Sequence, residues 1–163
     1  MSNSPTPEET ASWQRRFASQ ANNRAWRLSE STSRTADEDE EMLQAAHAAM
    51  YFWKIVGNAS NCAHAAQLLA HVYALLKIAR PARHYLAQAT PAFFSGNAAP
   101  WEVAIAHTVA ANVAAVSGEP EKHQSHYSEA IRLTAVLPDP EDREIINATL
   151  KVVPEPGRSE GVA

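Results

Sequence analysis

The sequence predicts an all-α fold of stacked antiparallel helical hairpins, about seven helices in all, on three observations. Alanine, the strongest helix former, supplies 32 of the 163 residues, whereas glycine occurs only five times. Apolar residues recur at helical spacing in one segment after another, and no stretch alternates with the period of two that a half-buried strand requires. The segments are separated by helix-capping and helix-breaking residues.

Taken in order, Thr6 with Pro7 and Glu9 is a capping box with proline in the first turn, opening a helix that carries Trp13, Phe17, Ala21, Arg24 and Leu28. SESTSRT interrupts it. Thr35 with Glu38 forms a second capping box, and the acidic run DEDEE behind it suits the positive end of a helix dipole as a solvated first turn. Met42, Ala46, Ala49, Trp53 and Val56 then trace one stripe up to Gly57-Asn58. A third helix is expected from about Ser60 to Ala79, broken at Arg80-Pro81, and a fourth is expected to end or kink at Thr90-Pro91. Pro100 opens a fifth that stops near Gly118, Pro120 a sixth, and Asp139-Pro140 a short seventh closing before Pro154. Residues 6–153 are expected to form one domain, with disordered ends at 1–5 and 154–163; a chain of this size encloses a real core, burying roughly 70% of its unfolded surface.

Composition excludes several functions. With 14 basic and 18 acidic residues the net charge is −4, which lacks the basic surface that phosphate neutralisation needs, so nucleic acid is not an expected partner. The single Cys62 permits neither an intrachain disulfide nor a cysteine-based zinc site and fits a reducing compartment. No run approaches the ~20 apolar residues of a membrane span, and the start of the chain is polar where a signal peptide is hydrophobic. A cytoplasmic protein without a membrane partner is expected. Phosphate-binding glycine loops and a serine nucleophile elbow are absent, so no cofactor is expected.

An internal repeat is present at an offset of 41. Leu69, Ala70 and Tyr73 correspond to Ala110, Ala111 and Ala114, while Ala82, Leu86 and Ala89 correspond to His123, Tyr127 and Ala130. A small residue early in the second helix of each pair permits a close crossing, and a bulky one a turn later fills the gap. This pattern resembles the tetratricopeptide repeat over about residues 60–137, with a spacing of 41 rather than 34 and His123 at a position that is usually small. The chain is also similar to uncharacterised bacterial helical-repeat proteins, a resemblance that implies no activity.

The resemblance implies a groove lined by the first helix of each hairpin, where His64, Gln67 and His71 on one helix face Thr108 and Asn112 on the next. Trp101 is a further expected binding residue, and in an enzymatic reading it would supply an aromatic wall. These are the expected binding residues, for a peptide or helix of a partner protein or for a second copy in a homo-oligomer; ordinary semi-exposed polar positions explain the same residues. Self-association has Phe93 and Phe94 as candidate apolar surface. The rival reading is a small-molecule site or enzyme in which His47 and His107, each set in an apolar surround, act with Glu102 as acid or base; satisfied core histidines explain these two as well. No metal site is expected. His64 and His71 lie two turns apart, roughly 10 Å along the axis, and His123 with His126 lack a third ligand.

Overall fold

The computed structural model describes residues 4–157. Of the expected disordered ends, positions 1–3 and 158–163 therefore lie outside the described residues. Between them run seven α-helices and, among the described residues, no strand: α1 (Pro7–Ser29), α2 (Ala36–Val56), α3 (Ala59–Leu75), α4 (Ala79–Phe93), α5 (Pro100–Val116), α6 (Pro120–Val136) and α7 (Pro140–Leu150). Sequence neighbours pair as the hairpins α1/α2, α3/α4 and α5/α6; α3 also packs on α5, and α7 lies against α5 and α6.

The helix starts form where their side chains satisfy the free N–H groups. Thr6 and Thr35 each accept from the backbone N–H three residues on, and Glu9 and Glu38 reach back to the cap N–H at 2.8 Å. Asn58 and Asn61 make the same reciprocal pair ahead of α3. Asp139 caps α7 by accepting from the Glu141 N–H. At the end of α2, a Cβ added to Gly57 would lie 2.6 Å from the Trp53 carbonyl oxygen, so only glycine allows the chain to turn this tightly.

Two boundaries differ from expectation. α3 ends at Leu75, because Lys77 adopts φ 60° and closes the helix: its N–H bonds the Ala74 carbonyl, and the Ile78 N–H bonds that of Tyr73. Forty-one residues later, Gly118 at φ 68° and Glu119 repeat this turn onto Ala115 and Ala114. The sequence repeat is thus also a repeat of turn geometry, with lysine in one copy where the other has glycine. Pro91, expected to end or kink α4, instead sits within its last turn, where one N–H is lost and Thr90 turns its hydroxyl back onto the Leu86 carbonyl.

The core is built on α3 and α5, which bury residues on nearly every side: Ala63, Ala65, Ala66, Leu68, Leu69, Ala70 and Val72 in one, Ala104, Ile105, Val109, Ala111 and Val113 in the other. Three apolar clusters result, one joining α1 and α2 to α3, one between α3, α4 and α5, and one from α5 to α7. Trp26 of α1 packs against all three. Phe93 is buried and Phe94 is partly exposed.

Candidate functional site

The residues expected to line a groove come together, but under cover. Gln67, His71, Thr108 and Asn112 are 2%, 0%, 0% and 2% exposed. They form a polar seam between α3 and α5 rather than an open floor. Trp26 closes it, its ring stacked on His71 with centroids 5.6 Å apart and planes at 26°. The long α1 packs onto α3 and brings this indole where a groove would have left solvent.

Within the seam, Asn112 Nδ2 lies 3.2 Å from His71 Nδ1, joining two positions that are equivalent in the repeat. The Thr108 hydroxyl donates to the Ala104 carbonyl. Burial, with the nearby Arg34 guanidinium, lowers the His71 pKa to about 3, so the ring is neutral at ordinary pH. Gln67 Nε2 and His71 Nε2 are buried and find no protein partner.

His64 and Trp101 stand apart at the lip. His64 Nε2 meets Glu102 Oε1 at 2.9 Å, while Glu102 Oε2 accepts from the Ala99 N–H at the start of α5. Trp101, 38% exposed, lies parallel to His64 at 6.0 Å and 11°. Glu102 is therefore engaged as a helix cap and as a partner to His64.

His47, His107 and Glu102, joined in the enzymatic reading, belong to three different side-chain groups. His47 Nε2 bonds the Tyr73 hydroxyl at 2.7 Å in an aromatic set completed by Tyr85, which stacks on Tyr73 at 5.9 Å and 6°. Burial lowers the basicity of His47, and burial together with Tyr85 raises the pKa of Tyr73. His107 instead meets His126, Nδ1 to Nδ1 at 2.9 Å, with Phe94 edge-on to His107 at 4.8 Å. At this distance one Nδ1 donates its N–H and the other accepts, and burial holds both rings below the usual imidazole pKa. His123 and His126, at metal-compatible spacing, point to different partners, because His123 Nε2 bonds the Pro154 carbonyl at 2.8 Å. Among the described residues, no group of three or more His, Cys, Asp or Glu gathers as a metal site.

The open surface lies elsewhere. Trp13 and Phe17 on α1 and Tyr51 and Ile55 on α2 are 54%, 47%, 64% and 50% exposed. The three aromatic residues are linked by ring contacts: Trp13 to Phe17 at 6.2 Å, Phe17 to Phe52 at 5.9 Å, and Phe52 to Tyr51 at 5.3 Å. The Arg16 guanidinium lies 5.4 Å from the Trp13 ring centre. The helical spacing of Trp13 and Phe17, i and i+4, signals a shared face, but sequence alone gives no sign that this face is left uncovered. Open depressions of about 970 Å³ between α6 and α7, and about 540 Å³ beside Asn112, Lys77 and Gly118, also reach solvent. Among the described residues no helix is long and apolar enough to cross a membrane.

Fold and site together define an all-α chain of helical hairpins with a closed polar seam and an exposed aromatic face. No protein-family model matches the chain, and neither a curated protein nor a solved structure matches it.

Proposed function

We propose that this chain is a protein-interaction module that self-associates through the aromatic face of α1 and α2. The observation that carries the reading is the exposed set Trp13, Phe17 and Tyr51, joined through Phe52, with exposed Ile55 one helical turn beyond Tyr51. At roughly half of an aromatic side chain's area each, these residues present about 400 Å² of apolar surface, within the range at which the largest patch on a protein commonly marks an interaction site. That is about half of the ~800 Å² per partner in a standard interface, with polar rim residues making up the remainder.

A second copy suits the charges around the patch. Glu9 lies one turn before Trp13 and Arg16 nearly one turn after it. When two α1 helices cross antiparallel at Trp13, Glu9 of each copy approaches Arg16 of the other, the reciprocal pairing of an isologous contact. The tetratricopeptide-like character supports an interaction role without supplying the site, since the groove that the resemblance implies is filled by Trp26.

Sedimentation equilibrium over a wide concentration range tests this. A dimer is expected, and Trp13→Gln with Tyr51→Gln is expected to yield monomer with unchanged helical circular dichroism. A wild-type chain that stays monomeric throughout, or a double variant that stays dimeric, overturns it.

A further inference from the structure

The α3/α5 seam contains two donors that the protein does not satisfy. In the amide orientation of Asn112, its Nδ2 faces His71 Nδ1. An amide nitrogen only donates, so Nδ1 accepts, and a neutral imidazole must then carry its proton on Nε2. His71 Nε2 is thus an N–H donor, and so is Gln67 Nε2; both are buried and without a protein acceptor. The two residues are one turn apart on the same face of α3, their Cβ atoms about 6 Å from each other. Two donors so placed can reach one oxygen.

We propose that the seam binds a single internal water beneath Trp26, accepting from Gln67 Nε2 and His71 Nε2 as a fixed part of the fold. The four seam positions are 0–2% exposed and His71 meets Asn112 directly, so a water is the partner that reaches the two donors without opening the seam. A buried water ordinarily makes about three hydrogen bonds, and a chain of this length holds on the order of six such waters. An acceptor for the water's own hydrogens lies in the adjoining turn of α5, where Thr108 directs its hydroxyl proton to Ala104 and keeps its oxygen lone pairs. The Trp26 ring from α1 stacks on the His71 ring beside these donors. The water then extends the polar chain from Asn112 through His71 to Gln67, tying together two turns of α3 and the α5 helix beside them.

Nuclear magnetic resonance of the full-length ¹⁵N-labelled protein in ordinary water tests the site directly. Expected are a His71 ring protonated at Nε2 and cross-relaxation from a long-lived water to that proton and to the Gln67 side-chain amide. Thermal melting of Gln67→Met gives an independent sign. If the amide is hydrated, its loss lowers Tm by about 3 °C, a typical response to a lost hydrogen bond in a chain of this size. If the donors are dry, removing one raises Tm. Absence of water cross-relaxation in the wild type overturns the proposal whatever the variant does, and so does a rise in Tm for Gln67→Met. Should the variant fail to fold, the wild-type spectra decide.

Discussion

Lowering the pH should reveal His71 as a specific acid weakness of the fold. In the folded chain its pKa is pushed down to about 3, by burial first and by Arg34 second, against roughly 6.5 in the unfolded chain. Between those values the unfolded state takes up a proton that the native state refuses. The stability linked to this ring is therefore fully present above pH 6.5 and is lost as pH falls toward 3. The slope is half its limit at pH 6.5 and approaches about 1.4 kcal/mol per pH unit below it, so moving from pH 6.5 to 4.5 should cost about 2 kcal/mol from this one residue. His47, His107 and His126, whose basicities are also lowered, act in the same direction. The contribution of His71 is isolated by comparison with His71→Gln, which keeps an amide to meet Asn112 and cannot titrate. Urea unfolding followed by tryptophan fluorescence at pH 7.5, 6.5, 5.5 and 4.5 would supply the two stability curves. The wild type should lose about 2 kcal/mol more than the variant over the lower two units. Parallel curves would refute the argument that this ring is buried uncharged.

Two further outcomes follow from packing and backbone geometry. Lys77→Gly should stabilise the chain by about 0.5–1 kcal/mol, since it removes a left-handed non-glycine residue at a turn whose repeat equivalent is Gly118; a fall in the unfolding midpoint would show that the lysine side chain outweighs its backbone cost. Trp26→Ala should destabilise by about 3 kcal/mol, at the lower end for a tryptophan because its ring is only partly buried, while touching three clusters; hydrogen exchange should then quicken in α3 near His71.

Much of the fold is legible in the chain. The cap pairs Thr6/Glu9 and Thr35/Glu38, the breaks at Pro100, Pro120 and Asp139-Pro140, and the offset of 41 all act locally, over one turn or between identical turns, so sequence spacing captures them. The end of α3 is less visible because nothing about Lys77 announces a positive φ; only its equivalence to Gly118 hints at it. The site is legible in membership and illegible in exposure. Gln67, His71, Thr108 and Asn112 share a seam as their spacing implies, yet whether it opens to solvent depends on α1, more than forty residues away from His71 in the chain. A signal was available: α3 and α5 lack a continuous polar face, and a helix apolar nearly all round is surrounded. His47 and His107 were separable only by their partners, Tyr73 and His126, which are contributed by other helices.

The His71 to Asn112 contact gives the two hairpins distinct identities. Residues at the same repeat position meet, but one offers an acceptor nitrogen and the other a donor amide. A second α3 in the place of α5 would set histidine against histidine and offer no side-chain amide there, so this contact, as it stands, tells the two hairpins apart although they share a repeat position.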